Sequence, residues 1–87
     1  GEEFVLSFPD LDFDEARTRV ERLRMAIAEL DLSALSPRLS VTASIGLSAD
    51  RRAKHHERLL ADADHYLYEA KRLGRNRVEP LRDPGPG

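Results

Sequence analysis

The sequence lacks several of the residues that define common classes of protein. It contains no cysteine and no tryptophan, and aromatic residues make up only 6% of its 87 positions. The absence of cysteine excludes disulfides and zinc–thiolate sites, and it fits a reducing, cytoplasmic compartment. No apolar run approaches the roughly 20 residues of a membrane span. The net charge of −2 gives no reason to expect nucleic-acid binding. We therefore expect neither a nucleic-acid partner nor membrane contact from this segment.

The composition is that of a small folded domain, with 40% hydrophobic and 34% charged residues. We expect residues 1–79 to form the domain. Residues 80–87 contain three prolines and two glycines, which favours a flexible tail. The chain opens on Gly-Glu-Glu, and its one methionine is Met25. We therefore expect a piece of a longer protein, whose other parts could include a membrane anchor.

The hydrophobic pattern predicts a β-α-β-α-β order and an α/β fold. Residues 4–8 are a short apolar run typical of a buried strand, and residues 40–48 alternate strictly between two faces. Helices are predicted over residues 13–30 and from residue 57 to Gly74, with a brief last strand around Val78. Asp12 and Glu15 have the spacing of a capping box. Helical connections between strands imply parallel neighbours in the sheet.

Periodicity also predicts which helix positions are buried. Each helix carries apolar residues at steps of three and four. The stripe of the first helix is Ala16, Val20, Leu23, Ile27 and Leu30, and that of the second is Leu60, Ala63, Leu67 and Ala70.

Two acids at the start of the first strand are candidate metal ligands. Glu2 and Glu3 are neighbours, so in an extended strand they point to opposite faces and serve one site only if a turn bends the backbone. The preceding Gly1 allows such a turn. Carboxylates at a turn suit Mg²⁺, which prefers oxygen ligands. Two solvated surface acids are the other interpretation.

Two cations near the end of the second helix are candidate phosphate ligands. Lys71 and Arg75 flank Gly74, and Lys71 lies close to the azimuth of the apolar stripe. Together a point charge and a planar fork could hold phosphate oxygens. A lysine that extends its ammonium into water, and cations that complement the helix dipole, explain the same residues without a ligand.

Three landmarks in order resemble one known family. They are GEEF at residues 1–4, SIGLS at residues 44–48 and ADHYLYEAKRLGRNRV at residues 63–78. Together they closely resemble the C-terminal half of a GGDEF domain, the diguanylate cyclase family. The resemblance implies a palm-like, mixed central sheet with flanking helices, from which this chain lacks the first strands.

The family condenses two GTP molecules into cyclic di-GMP with two domains facing each other. The resemblance therefore implies GTP and a second GGDEF domain, in a homodimer, as partners, an upstream sensor domain, and Mg²⁺ as cofactor with Mn²⁺ as a substitute. It gives Glu2 a catalytic and metal-binding role and Glu3 a metal-binding role. Gly1 would let the hairpin approach the nucleotide, and Lys71 and Arg75 would contact its phosphates.

Other outcomes stay open at this point. A degenerate GGDEF domain could bind nucleotide or mediate dimerisation without catalysis. The chain by itself is expected to be inactive, because another metal-binding aspartate, the guanine-selecting residues and the inhibitory product site lie in the family's other half. In the family's sheet the first strand lies between two strands kept here. We therefore expect the chain alone to pair with another copy, exchange elements or rearrange its strands.

Overall fold

Three strands and two helices alternate along the chain in the computed structural model, which describes residues 1–85. The elements are β1 (Glu2–Phe8), α1 (Phe13–Ala28), β2 (Ala43–Ala49), α2 (His56–Arg72) and β3 (Arg77–Glu79). This order confirms the α/β class and the predicted β-α-β-α-β arrangement.

The strands form one parallel sheet in the order β1-β2-β3. β1 pairs with β2 along its whole length, from Glu2 opposite Ala43 to Phe8 opposite Ala49. The shorter β3 adds to the other edge of β2, with Ser44 opposite Arg77. β1 and β2 are therefore direct neighbours, with no strand between them. This corresponds to a rearrangement of strands, one of the three outcomes expected for the chain alone. Pairing with another copy stays a prediction.

One face of β2 supplies the apolar core. Ala43, Ile45 and Leu47 alternate onto this face and are fully buried. They form one cluster with residues of α1 and β3, namely Phe13, Ala16, Val20 and Val78. The main contacts of α1 are with β2 and β3. We call this side of the sheet the α1 face.

The opposite side of the sheet, the α2 face, is built from small residues. Ser44, Gly46 and Ser48 of β2 alternate onto it. A Cβ atom added to Gly46 would lie 2.0 Å from the carbonyl oxygen of Ala63 and 2.2 Å from the backbone nitrogen of Leu67. The Ser48 hydroxyl donates to the carbonyl of Leu59. Small side chains thus let the backbone of α2 lie directly against β2.

The helix boundaries differ slightly from the prediction. Asp12 caps α1 and accepts a hydrogen bond from the Glu15 backbone at 3.2 Å, as the capping pattern predicted. The helix ends at Ala28 rather than at residue 30, and the strand predicted from residue 40 begins at Ala43. In the expected stripe of α1, Ala16 and Val20 are buried and Ile27 packs partly buried against the core, while Leu23 and Leu30 are 48% and 55% exposed.

The buried position near the start of α2 is also shifted by one residue. Leu59 is buried and Leu60 is 52% exposed, the reverse of the predicted stripe. Ala63 and Ala70 are buried as predicted. Leu59 lies one turn before Ala63, so the helix rotates to bring it, rather than Leu60, onto β2.

The segment after β3 is held at its first residue. The Arg17 guanidinium donates to the carbonyls of Pro80 at 3.1 Å and of Val78 at 3.3 Å. Flexibility of residues 80–85 stays a prediction, and residues 86 and 87 of the predicted tail lie outside the described residues. Among residues 1–85, neither helix has the length and apolar character to cross a membrane.

Candidate functional site

The start of β1 fixes the two candidate acids on different sides of the sheet. The backbone N–H of Glu2 donates to the Thr42 carbonyl at 2.8 Å, which ties β1 to the approach of β2. Glu2 is in register with Ala43, on the α1 face, and Glu3 is in register with Ser44, on the α2 face. Both acids belong to the strand, so strand alternation separates them.

Gly1 lies in close contact with the same segment. A Cβ atom there would lie 3.0 Å from both the carbonyl oxygen and the hydroxyl of Thr42. A larger residue would push the start of β1 away from Thr42 and so disturb the position of the acids. This contact explains the glycine through packing, and the predicted contact of Gly1 with a nucleotide stays a prediction.

A tight turn carries the chain from α2 into β3. The backbone N–H of Arg75 donates to the Ala70 carbonyl at 2.8 Å, which closes the helix end. Three successive residues have positive φ: Gly74 at 121°, Arg75 at 65° and Asn76 at 47°. Such conformations cost energy for residues other than glycine and persist where the surrounding structure enforces them.

Two further contacts hold this turn against the sheet and α1. The backbone N–H of Asn76 donates to the Ser44 hydroxyl at 3.2 Å. The Asn76 side-chain oxygen accepts from the Arg24 guanidinium at 2.7 Å. Neither Asn76 nor Arg24 was predicted from the sequence to have a role here. The position of Asn76, two residues after the glycine that ends α2, could have predicted its part in the turn, because asparagine tolerates the left-handed conformation better than most residues.

Glu3, Lys71 and Arg75 meet on the α2 face. One carboxylate oxygen of Glu3 lies 3.3 Å from the Lys71 Nζ, and the other lies 3.3 Å from an Arg75 guanidinium nitrogen. The exposed side-chain fractions are 41% for Glu3, 36% for Lys71 and 58% for Arg75. We call these three residues the charge cluster. At this exposure each ion pair contributes at most about 1 kcal/mol to stability. The cluster is open to solvent and holds one anion between two cations.

The predicted metal-binding role of Glu2 and Glu3 stays a prediction, because the two acids do not share a site in this chain. Within residues 1–85, no three His, Cys, Asp or Glu residues are grouped so that they could hold a metal ion. Glu3 already has two cationic partners, and Glu2 lies on the opposite face. Mg²⁺ requires several oxygen ligands in octahedral geometry. The residues present therefore do not form a magnesium site by themselves.

A groove beside β1 and α2 is unsuited to an anionic ligand. It has a volume of about 460 Å³ and is lined by Val5, Glu57, Leu60, Ala61 and Asp64. Its floor is apolar and its charged residues are acids, which would repel phosphate. Neither Lys71 nor Arg75 lines it. Charge therefore places the candidate anion site at the charge cluster and not in this groove.

The fold and the charge cluster together define a small α/β domain with acids at the start of its first strand and cations at the end of its last helix. The family model described as "Diguanylate cyclase, GGDEF domain" matches residues 1–77. This chain belongs to the GGDEF family, which confirms the resemblance found in the sequence.

Curated relatives are similar over most of the chain. It is 40% identical over 79 residues to diguanylate cyclase DgcP of Pseudomonas aeruginosa, covering 91% of the chain and 12% of the relative. It is 42% identical over 84 residues to diguanylate cyclase VdcA of Vibrio cholerae, covering 93% and 25%. It is 40% identical over 78 residues to DgcM of Escherichia coli, covering 90% and 18%. The chain thus spans a quarter or less of these relatives. No solved structure gives a significant match.

Proposed function

We propose that this chain is part of a diguanylate cyclase that condenses two GTP molecules into cyclic di-GMP. The supporting observation is that residues 1–77 match the diguanylate cyclase GGDEF family and carry Lys71 and Arg75 close together at the end of α2 and in the turn that follows it. Two fixed cations at one point are suited to bind phosphate oxygens.

In the proposed reaction, Lys71 and Arg75 hold the phosphates of GTP. The 3′-oxygen of one GTP attacks the α-phosphorus of the other, the bond to the β-phosphate oxygen breaks, and pyrophosphate leaves. The step occurs twice, once for each of two facing domains. The two cations offset the negative charge on the phosphates, and the rigid turn at Gly74 keeps them in place during the reaction.

Glu2 is proposed to assist removal of the proton from the attacking 3′-hydroxyl. Its side chain is exposed at the start of β1 on the α1 face, whereas Lys71 lies with Glu3 on the α2 face, so the proposed role requires that the longer protein bring the attacking hydroxyl to this edge of the sheet. GGDEF diguanylate cyclases are generally metal-dependent, and Mg²⁺ or Mn²⁺ is the proposed ion. Because Glu2 and Glu3 lie on opposite faces of β1, both could bind one ion only if the backbone at the start of β1 bends in the longer protein, which would supply the other ligands. A second GGDEF domain and an upstream sensor domain are the proposed partners.

The test is product formation by a longer protein that contains this chain. Incubation with GTP and Mg²⁺ should yield cyclic di-GMP, detected by mass spectrometry. Glu2→Gln should reduce turnover at least about 100-fold, the range of a lost general acid–base group. Glu29→Gln, at another exposed acid, which follows α1, is the matched control and should leave turnover unchanged.

Two results would contradict this assignment. Unchanged turnover in the Glu2→Gln protein would remove the catalytic role of Glu2. GTP binding without product in the unmodified protein would favour the degenerate nucleotide-binding module instead. The 87-residue chain alone should make no product, since its carboxylates do not form a complete metal site.

A further inference from the structure

We propose that Arg24 of α1 is a positioning residue for Arg75. Arg24 holds the turn after α2 in the conformation that presents the Arg75 side chain. The inference deepens the proposed function, on which the role of Arg75 at the phosphates rests. Every contact that carries it lies among α1, β2, α2 and the turn into β3, so it does not depend on which strand lies beside β1.

Asn76 links α1 to this turn and to the sheet. Its side-chain oxygen accepts from Arg24 Nη1 at 2.7 Å, and the same nitrogen lies 3.5 Å from its carbonyl oxygen. The backbone N–H of Asn76 donates to the Ser44 hydroxyl at 3.2 Å. The residue after Arg75 is therefore held from α1 and from β2, while the N–H of Arg75 itself is held by the Ala70 carbonyl. Arg75 lies between two fixed points of the chain.

Glu21 orients the Arg24 guanidinium towards the turn. The Glu21 carboxylate accepts from Nε of Arg24 at 3.0 Å and also from Nη2, which leaves Nη1 for Asn76. The side chains of Arg24 and Glu21 are only 17% and 28% exposed, so the pair is largely shielded from water. A planar guanidinium contacts two partners at fixed angles, whereas the single ammonium of lysine cannot reproduce this arrangement. Positive charge alone is therefore not sufficient at residue 24.

The backbone of the turn depends on such support. Arg75 and Asn76 have φ of 65° and 47°, and residues other than glycine keep this conformation only where the surrounding structure enforces it. Without Arg24, the Asn76 side chain loses its partner in α1, and both residues can return to negative φ. The direction of the Arg75 side chain changes with its backbone.

Removal of the Arg24 side chain should leave α1 on the sheet. The helix is also held by its buried residues Ala16 and Val20 and by the Arg17 guanidinium, which donates to the carbonyls of Val78 and Pro80. The expected change is therefore local to the turn, and substitutions at residue 24 can be compared in folded protein.

The first test measures the backbone of the turn in the 87-residue chain. A strong NMR cross-peak between the amide and α protons of one residue marks positive φ, and the unmodified chain should show it for Arg75 and Asn76. Arg24→Gln and Arg24→Lys should lose both strong cross-peaks. Arg19→Gln, at an exposed arginine of α1 that pairs with Glu15, is the matched control and should keep them.

The second test measures turnover by the longer protein that contains this chain. Arg24→Gln should lower kcat about tenfold to 100-fold, the range expected for a displaced phosphate ligand. Arg24→Lys should not restore it, and Arg19→Gln should leave it unchanged. Adding Arg75→Gln to Arg24→Gln should lower kcat no further than Arg75→Gln alone, because Arg24 acts through Arg75.

Four results would overturn the inference. They are no strong cross-peaks in the unmodified chain, retained cross-peaks in Arg24→Gln, full activity of Arg24→Lys, and additive losses in the double variant. Product formed by the longer protein alongside retained cross-peaks in Arg24→Gln would refute only this inference. Loss of the cross-peaks in Arg24→Gln, with no product from the unmodified longer protein, would refute only the proposed function.

Discussion

The two faces of the sheet are covered by helices of similar length that pack by different means. On the α1 face, large apolar side chains such as Ile45, Leu47 and Phe13 pack together in one buried cluster. On the α2 face, Gly46 and two serines bring the helix backbone against the strand. The first face holds most of the buried apolar residues. The second fixes the position of α2, and with it the charge cluster.

Close backbone contact suits the task of the α2 face. A helix held by long side chains can shift as rotamers change, whereas atoms of α2 that lie against Gly46 leave little room for movement. Lys71 is one turn beyond Leu67, which makes this contact. The position of Lys71 relative to Glu3 is therefore set by the small residues of β2.

The largest expected loss of stability comes from adding a side-chain atom at Gly46. Gly46→Ala places a Cβ atom 2.0 Å from the Ala63 carbonyl oxygen, and backbone at this point cannot move aside without displacing α2. Overpacking commonly costs about 1 to 3 kcal/mol. We expect about 4 kcal/mol or more here, because the obstacle is backbone. Urea unfolding followed by circular dichroism measures the loss.

Gly74→Ala is the matched control for that substitution. A Cβ atom at Gly74 would lie 3.9 Å from the Arg77 guanidinium, which is ordinary contact, but φ there is 121°. The cost is then conformational, about 1 to 3 kcal/mol. If Gly46→Ala were no more destabilising than Gly74→Ala, the close contact of α2 with β2 would not be the feature that holds this face.

The α1 face should respond to loss of side-chain volume instead. Leu47 of β2 is fully buried on the α1 face. Leu47→Ala should therefore cost about 3 kcal/mol through lost apolar contact and the cavity left behind. Leu23→Ala on α1 is the control, since Leu23 is 48% exposed and should lose less than about 1 kcal/mol. The same unfolding measurement ranks the two. Equal costs would mean that the cluster does not extend to Leu47.

Much of this contrast could be predicted from the sequence. The strict alternation of residues 40–48 gave both the strand and its small-residue face, and the apolar periods gave both helices. The choice between Leu59 and Leu60 could not be made, because both are leucines at the edge of the same stripe. Only the rotation of α2 on Gly46 decides that Leu59 is buried.

The pairing of Glu3 could not be predicted either, for a different reason. It depends on which strand lies beside β1, and residue periodicity does not determine strand neighbours. β1 lies directly beside β2 in this chain. A further strand between them would add about 4.8 Å and separate Glu3 from Lys71. Residue types gave the members of the charge cluster, while the sheet order determines their contacts.

The smallest expected effect is a change in the pKa of Glu69, which depends on only one of two neighbouring cations of α2. Lys71 faces the sheet and pairs with Glu3, whereas Arg72 donates to the carboxylate of Glu69 at 2.7 Å on the outer side of the helix. These hydrogen bonds from Arg72 lower the pKa of Glu69. The pair therefore stabilises the fold above the ordinary pKa of glutamate, and this contribution is lost as the pH falls through the lowered folded-state value.

Arg72→Gln should raise the pKa of Glu69 towards its ordinary value, measured by carboxyl ¹³C NMR titration. Lys71→Gln is the control for loss of a neighbouring positive charge, and it should leave that pKa nearly unchanged because the Lys71 ammonium lies with Glu3. Equal shifts in the two variants would show that general charge, rather than the direct Arg72 hydrogen bonds, sets the pKa of Glu69. The two sides of α2 would then not be electrostatically separate, and the contrast between the sheet-facing charge cluster and the outer surface of the helix would fail at this point.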